Sequence, residues 1–204
     1  MAEKISRVLV VLANQFIETD QRNNLINDLC KTFSESVQSY DSEVDLIDLY
    51  KDIEFDPIRE SDRRDTKIIE YQIRIKKAQV IVFFYQTVWL SPPAILKGFI
   101  DKVFVSGFAY KNYNGLPQGL LDTKQVIVVA TCEKPNWQVN YIYGNIFSNF
   151  WKKIFLDYCG VSQSNLYLLG NYRSASNQVL DKWNQKMKDI AAKLTTTQSF
   201  LDFF

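Results

Sequence analysis

Short apolar runs alternate with longer amphipathic stretches along this chain, and this alternation limits its possible folds more than any other feature. Runs of strand length occupy Arg7–Ala13, 44–49, 80–85, 126–131 and 165–169. Three of them are apolar on both faces, which is typical of parallel strands covered by helices on both sides. The pattern predicts a doubly wound α/β domain with a ligand crevice at the carboxyl ends of its strands.

The stretches between these runs carry apolar residues at helical spacing. Thr66–Lys77 is ambiguous, because its isoleucines alternate as in a strand, but a strand follows at once and we therefore predict a helix. The remaining apolar stripes are Leu25, Ile26, Leu29, Cys30, Phe33 and Val37; Ile146, Phe147, Phe150, Trp151, Ile154, Phe155 and Tyr158; and Val179, Leu180, Trp183, Met187, Ile190, Ala191 and Leu194.

Two segments fall outside the alternation. The segment 107–123 contains three of the seven glycines and is too long for a simple connection, which indicates a functional loop or a cover. The tail 195–204 ends in phenylalanines, which suggests docking on a neighbouring subunit or on the chain's own surface. No linker or repeat interrupts the pattern, so we expect a single domain over residues 1–204.

Composition excludes several classes of function. The chain has no histidine, which removes His-based triads, His-ligated zinc and imidazole acid/base catalysis, and we expect no metal site. The net charge of +1 favours neither nucleic acid nor anionic membrane. Three widely spaced cysteines argue against a disulfide framework, and no run reaches the roughly 18 apolar residues of a membrane span. We expect a cytoplasmic protein without membrane insertion.

The stretch YQTVWLSPPAILKGFID, residues 85–101, follows the third strand and places Trp89 at its lip. Pro92 and Pro93 suit the first turn of a helix, where a missing amide hydrogen does no harm. The helix buries its own apolar stripe, and Lys97 with Asp101, four residues on, reads as a solvated ion pair. From Ser91 onward, the stretch is therefore mainly architecture.

Several phrases resemble the flavodoxin-like NAD(P)H:quinone oxidoreductases, a family that includes modulators of drug activity and ancillary proteins of potassium efflux systems, with azoreductases as close relatives. The phrases are VLVVLANQ, DLYKDIEFDPI, WLSPPAILKGFIDKVFVSGFAY, GLLDTKQVIVVAT and the triplet CGV at 159–161. The resemblance covers nearly the whole chain, and the block W-x-S-x-P-A-I-L-K-G-x-I-D is its most specific part. It implies a flavodoxin-like five-stranded parallel sheet, in the order 2-1-3-4-5, with helices on both faces.

The resemblance also implies a cofactor and a reaction. A flavin bound at the strand carboxyl ends would take hydride from NADH or NADPH and pass two electrons to a quinone or similar flat electrophile. The short chain favours FMN over FAD. Family members are usually homodimers with the flavin near the subunit interface, and we expect the same here, with a small-molecule electron acceptor.

The first implied site is the loop 14–23, where backbone amides at a helix N-terminus suit a phosphate. The family usually has His-Pro, a Ser or Thr and an Asn in this loop. Asp20 would repel a phosphate about 4 Å away by roughly 1 to 4 kcal/mol, which Thr19 and Arg22 could offset; a helix cap without a ligand is the alternative reading. The candidates carried over here are Asn14, Thr19, Asp20, Arg22 and Asn23.

The second implied site is the loop after the third strand. The family places Pro, Trp and a further aromatic residue there, so that backbone amides meet the ring edge and the aromatic pair lines the ring plane. Trp89 is retained, and its flat ring suits an isoalloxazine; the alternative is that it packs on segment 107–123. The candidates are Gln86, Thr87, Val88, Trp89 and Leu90.

The third implied site follows the fourth strand, where the family shows Thr-Thr-Gly-Gly and this chain has Thr131, Cys132, Glu133 and Lys134. Lys134 near the flavin would stabilise the anionic reduced ring by charge complementarity. Cys132 is either a redox thiol or, as we favour, a small buried hydrophobe.

Some members carry a Tyr and a His after this third loop. This chain has no His, and Tyr141 is the candidate catalytic residue, with Tyr143 as its alternative.

Two functions remain open from the sequence. The first is a flavin-dependent NAD(P)H oxidoreductase, which the retained Trp89 favours. The second is a regulatory or interaction protein with a decayed flavin site, for example an ancillary subunit of a transport system, which the departures at Asp20, Gln86, Glu133 and Lys134 favour.

Overall fold

A computed structural model describes residues 5–15, 24–58 and 65–195. The strands are β1 (Arg7–Ala13), β2 (Glu43–Asp48), β3 (Val80–Gln86), β4 (Tyr110–Tyr113), β5 (Leu116–Gly119), β6 (Gln125–Cys132) and β7 (Gln163–Gly170). The α-helices are α1 (Leu25–Gln38), α2 (Thr66–Lys77), α3 (Ala94–Val103), α4 (Ile146–Ser148) and α5 (Asn177–Thr195). Two π-helices (Gln138–Ile142 and Asn149–Leu156) and a 3-10 turn (Tyr172–Ser174) complete the regular elements.

Five strands form a fully parallel sheet in the order β2-β1-β3-β6-β7. Since β6 and β7 are the fourth and fifth strands of this sheet, the order confirms the predicted 2-1-3-4-5 arrangement. β3 and β6 are buried along their whole length, as expected for central strands covered on both faces. One core contains apolar residues of α1 and α5, and the other contains those of α2, α3 and the second π-helix.

The ambiguous segment Thr66–Lys77 is a helix, as predicted. Asp65 caps it, because its carboxylate accepts a hydrogen bond from the Lys67 amide at 2.9 Å. Ile68, Tyr71 and Ile75 are buried at a spacing of three and four residues, whereas Ile69 and Ile73 are exposed. The alternation of isoleucines therefore reflects one buried and one exposed set on a helix.

The predicted loop or cover at 107–123 contains an antiparallel hairpin formed by β4 and β5. The hairpin ends against the turn after the second π-helix, where a Cβ on Gly119 would lie 2.2 Å from the Gly160 nitrogen. The Leu121 amide donates to the Cys159 carbonyl at 3.0 Å in the same contact. Two phrases that carry the family resemblance, GLLDT and CGV, thus meet through a backbone contact that only glycine permits.

The apolar stripe from Ile146 to Tyr158 does not form the regular helix that its 3.6-residue spacing predicts. Only Ile146–Ser148 is α-helical, and Asn149–Leu156 forms a π-helix with wider turns. In this geometry Phe147, Trp151 and Phe155, four residues apart, are buried together on one side. The predicted stripe is divided, and Ile146, Phe150 and Ile154 are left at least partly exposed.

Candidate functional site

The site begins at a tight turn directly after β3. Val88 and Ser91 exchange both backbone hydrogen bonds, at 2.9 and 3.0 Å, and Trp89 and Leu90 form the tip with φ angles of +51° and +62°. Two positive φ angles define a type I′ turn, which normally selects Asn and Gly. A tryptophan and a leucine in this conformation store strain of the kind that concentrates at functional sites.

Trp89 is 95% exposed at this tip. Trp89 therefore does not pack on segment 107–123, and the alternative prediction of such packing is wrong. Leu90 packs partly against the core and anchors the turn. The turn holds a bare aromatic ring at the carboxyl edge of the sheet, in the place where ligands of doubly wound proteins bind.

A cleft of about 510 Å³ opens beside this turn. The carboxyl ends of β1, β3 and β6 form its walls, which is the crevice that the strand order predicts. Its volume lies within the range of cofactor and ligand sites. The residues lining it are Gln15, Gln86, Thr87, Val88, Trp89, Leu90, Cys132, Glu133, Lys134 and Tyr143.

The β6 side of the cleft carries one paired and one unpaired charge. The Glu133 carboxylate accepts from Arg173 Nε at 2.7 Å, so its charge is compensated. Lys134 is exposed and forms no ion pair within residues 5–15, 24–58 and 65–195. The loop after β6 is tied to the end of β7, because the Asn171 amide donates to the Lys134 carbonyl at 3.1 Å. The cleft therefore has a cationic edge.

Behind this edge lies the end of β6. Thr131 is 1% exposed, its carbonyl accepts from the Thr87 amide at 2.9 Å, and its Oγ1 has no hydrogen-bond partner among the described residues. Cys132 is buried in the core, and its Sγ accepts from the Lys134 amide at 3.3 Å. These contacts agree with the interpretation of Cys132 as a small buried hydrophobe.

The structure brings together eight of the predicted site residues, which are Gln86, Thr87, Val88, Trp89, Leu90, Cys132, Glu133 and Lys134. Asn14 and Thr131 are buried at the ends of their strands and do not line the cleft. Thr19, Asp20, Arg22 and Asn23 lie outside the described residues, as does the tail 196–204.

Tyr141 is 85% exposed and does not line the cleft, whereas its alternative Tyr143 does. Tyr143 follows the first π-helix, and its amide donates to the Gln138 carbonyl at 3.0 Å. Gln15 also lines the cleft; it belongs to the implied phosphate loop 14–23 but was not among the candidates named from it. Its position two residues after β1, at the carboxyl edge, was the available signal.

These groups suit a flat, anionic, aromatic cofactor such as a flavin. Trp89 offers a ring face, and Lys134 offers a positive charge. The amides of Trp89 and Leu90 at the tip of the turn donate to no acceptor in the described part of the chain. A ring edge with carbonyl and nitrogen acceptors would satisfy them.

A model of the family described as having a flavodoxin-like fold matches residues 6–194. The chain belongs to the flavodoxin-like fold family. A protein of Haemophilus influenzae, named an uncharacterized NAD(P)H oxidoreductase, is 30% identical over 161 residues, which are 72% of this chain and 75% of that protein. The FMN-dependent NADH:quinone oxidoreductase of Clostridium perfringens is 30% identical over 139 residues, 62% of this chain and 69% of that protein.

Other relatives match over a smaller share of their length. NAD(P)H dehydrogenase (quinone) 1 of Rattus norvegicus is 24% identical over 136 residues, and the match spans 63% of this chain and 50% of that protein. Among solved structures, Smu.1420 of Streptococcus mutans aligns with a TM-score of 0.78 at 25% identity, covering 92% of this chain and 99% of that one.

The FMN-dependent NADH-azoreductase of Bacillus anthracis, solved in complex with FMN, aligns with a TM-score of 0.75 and covers 94% of this chain and 100% of that one. Its 17% identity supports the shared fold alone. Within residues 5–15, 24–58 and 65–195, no helix of this flavodoxin-like protein combines the length and apolar character that a membrane crossing requires.

Proposed function

We propose that this flavodoxin-like protein is an FMN-dependent NAD(P)H oxidoreductase that reduces a quinone or a similar flat electrophile. One hydride, carrying two electrons, leaves the nicotinamide; the quinone gains those electrons with two protons, one of them from solvent, and becomes a hydroquinone. The names of the relatives in Haemophilus influenzae and Clostridium perfringens support this reaction class. FMN, when bound, carries the hydride between the two substrates in turn.

The observation that carries the proposal is the strained turn that presents Trp89 at the edge of the cleft. An isolated tryptophan with 95% exposure gains nothing from this position in the free protein. A left-handed conformation costs about 1 to 2 kcal/mol for a residue other than glycine. We infer that the turn is shaped for a ligand ring, which Trp89 would contact through its own ring.

The other lining residues have distinct roles in this proposal. Thr87 and the tip amides of Trp89 and Leu90 would donate hydrogen bonds to polar atoms of the cofactor. Lys134 would hold its positive charge close to the cofactor, which gains negative charge on reduction. Glu133 does not cancel this charge, because Arg173 already compensates it at 2.7 Å.

Tyr143 is the tyrosine that we propose to contact the nicotinamide or the acceptor, since it lines the cleft. Tyr141, the residue singled out from the sequence, stays a prediction that the geometry of the cleft does not support directly. Neither tyrosine needs to transfer the hydride, because the cofactor carries that chemistry and the protein supplies orientation.

We further propose that the whole chain is one domain that works as a cytoplasmic homodimer. Trp89 and Tyr141 leave aromatic area exposed near the cleft, at 95% and 85%, which a second subunit would cover. All three cysteines are free and buried, which suits a reducing compartment. Light scattering coupled to size exclusion tests the dimer, and a monomer at micromolar concentration would contradict it.

Purification with added FMN tests the reaction. The expected result is a yellow protein with one FMN per chain that oxidises NADH or NADPH only when a quinone is present. Protein that remains colourless and takes up neither FMN nor FAD would overturn the proposal and favour an interaction protein with a decayed site. Spectra of the denatured protein identify the released flavin as FMN or FAD.

A further inference from the structure

A second pocket of about 340 Å³ adjoins the cofactor cleft. We call it the side pocket; Leu90, Pro92, Tyr143, Phe150, Trp151 and Ile154 are among the residues that form its wall. Leu90 and Tyr143 also line the cleft, so the two spaces meet at these side chains. The two spaces are therefore neighbours, and a molecule reaching from the cleft into the side pocket would pass Leu90 and Tyr143.

The wall of the side pocket owes its apolar surface to the second π-helix. Phe147, Trp151 and Phe155 face the core, and Trp151 packs on Phe83 with ring centroids 4.9 Å apart. The other half of the apolar stripe, Ile146, Phe150 and Ile154, lines the pocket together with Phe147 and Trp151. Ile154 is 65% exposed there, although its side chain is fully apolar. Long π-helices are rare and occur mainly at functional sites.

Two hydrogen bonds engage polar groups in the wall of the side pocket. Tyr85 Oη accepts a hydrogen bond from Trp151 Nε1 at 2.7 Å in the buried floor. Asn149 Nδ2 donates to the Gly144 carbonyl at 2.7 Å. A ligand group in this pocket would meet few free donors or acceptors, so the pocket favours an alkyl or isoprenoid chain over a polar group.

We propose that the side pocket binds the apolar chain of a quinone whose ring lies in the cofactor cleft. The protein is then selective for acceptors with an alkyl or isoprenoid substituent. This inference rests on the proposed function, because it specifies the acceptor of the same reaction. It adds a binding site that the cofactor and the nicotinamide do not use.

Binding to the flavin-loaded protein without NAD(P)H tests the inference independently of turnover. The probes are a benzoquinone with a decyl chain and the same benzoquinone without the chain, titrated by calorimetry. Each buried methylene contributes about fourfold in affinity, so we expect a Kd at least about tenfold lower for the chain-bearing quinone. In Ile154→Asp, a charge in the pocket wall should reduce this ratio to about one.

Leu116→Asp is the matched control, because Leu116 is 72% exposed on the hairpin and lines neither space. It should retain the full ratio between the Kd values of the two quinones. That result would exclude a general effect of added negative charge. Circular dichroism melts of both variants establish that they fold. A ratio near one in the unaltered protein, or a ratio that survives Ile154→Asp in a folded variant, would overturn the side pocket as the chain site.

Two further outcomes separate this inference from the proposed function. Turnover of the chainless quinone with a Kd ratio near one would reject the side pocket and leave the oxidoreductase intact. Absence of turnover with both quinones would reject the proposed oxidoreductase, while the Kd ratio would still decide whether the side pocket binds an apolar chain. If Ile154→Asp converts a dimer into a monomer, a second copy occupies the pocket and the inference fails.

Discussion

At the scale of single residues, the turn after β3 combines two side chains with a backbone conformation that neither favours. Trp89 and Leu90 have φ angles of +51° and +62°. Leu90 recovers part of the cost by packing on the core, whereas Trp89 has no such contact in the described residues. Natural proteins accept local strain of about 1 to 3 kcal/mol mainly where function requires it.

Trp89→Asn should therefore separate stability from cofactor binding. Asn tolerates the left-handed region, so we expect the free energy of unfolding without cofactor to rise by up to about 1 kcal/mol. Loss of the ring contact should weaken FMN binding by about 2- to 10-fold, corresponding to about 0.5 to 1.5 kcal/mol. Urea unfolding and titration by FMN fluorescence measure the two effects.

Trp137→Asn provides the matched control. Trp137 is 56% exposed but has a helical φ of −63° and lies outside the cleft. Trp137→Asn should produce neither the rise in the free energy of unfolding nor the loss of affinity for FMN. Equal FMN affinity in Trp89→Asn and the unaltered protein would contradict the proposed ring contact.

Lys134→Ala should lower the reduction potential of bound FMN. Removing a nearby positive charge destabilises the anionic reduced ring by about 1 to 3 kcal/mol, or about 20 to 60 mV for two electrons. Lys134→Arg keeps the charge and should retain most of the potential. Redox titration against a reference dye measures the shift, and an unchanged potential in Lys134→Ala would rule out this role.

At the scale of elements, the segment after β2 packs on α3 through a glycine. A Cβ on Gly98 would lie 2.5 Å from Pro57 Cβ. Beside this contact, Phe55 packs edge-on against Phe99, with ring centroids 6.1 Å apart. The phrases DLYKDIEFDPI and PAILKGFID, which carried much of the family resemblance, therefore specify one interface.

Gly98→Ala distinguishes helix propensity from this packing. Propensity alone predicts stabilisation by about 1 kcal/mol in the middle of α3. The contact with Pro57 is too short to accommodate a methyl group, and we expect a net destabilisation of about 1 to 3 kcal/mol. Urea unfolding measures the change.

Lys97→Ala, at the neighbouring exposed position of the same helix, is the control. It should change the free energy of unfolding by no more than about 0.5 kcal/mol. A stabilised Gly98→Ala variant would mean that the segment around Pro57 moves aside at little cost.

The sequence predicted most of these elements, but not all of them. The positions of the five parallel strands and of most helices followed from apolar periodicity, and the order of the sheet followed from the resemblance. The hairpin of β4 and β5 was expected only as a loop or cover. The π-helix did not, because its apolar spacing also fits an α-helix. Only the burial of Trp151 against Phe83 and Tyr85, more than 60 positions earlier in the chain, divides the stripe into a buried and an open half.

At the scale of the whole molecule, a small charged cluster ties the segment after β2 to α2. Asp52 accepts from Tyr71 Oη at 2.6 Å and pairs with Lys67 Nζ at 2.8 Å. Burial alone would raise the pKa of Asp52, but the hydrogen bonds from Lys67 and Tyr71 and the Lys67 charge outweigh it and lower the pKa below 3.8. The pKa of Lys67 is raised, because its carboxylate partners outweigh the effect of burial.

The cluster should make stability depend on pH at the acid end. Because the pKa of Asp52 is lower in the folded protein, its contribution is complete above pH 3.8 and is lost as the pH falls through the folded value. Asp52→Asn should cost about 1 to 2 kcal/mol at pH 7, and the difference from the unaltered protein should shrink below about pH 4. Urea unfolding between pH 7 and pH 3 measures it.

Asp101→Asn is the control for this prediction. Asp101 pairs with Lys97 at 2.5 Å, but both side chains are about half exposed, so the loss should stay within about 0.5 kcal/mol at every pH. A constant difference for Asp52→Asn across the range would show that Asp52 acts through packing and not through its charge.

The sequence by itself determined the parallel sheet, the crevice at its carboxyl edge and the place of Trp89 beside that crevice, because these follow from local periodicity and from motifs contiguous in the chain. Tertiary structure alone decided that Trp89 stands free on a left-handed turn, that Arg173 compensates Glu133, and that Tyr143 and not Tyr141 faces the cleft. It also opened the side pocket. Val88 and Ser91 close the turn locally, but the exposure of Trp89, the ion pair and the two cavities depend on how residues distant in sequence come together, and no local pattern records that geometry.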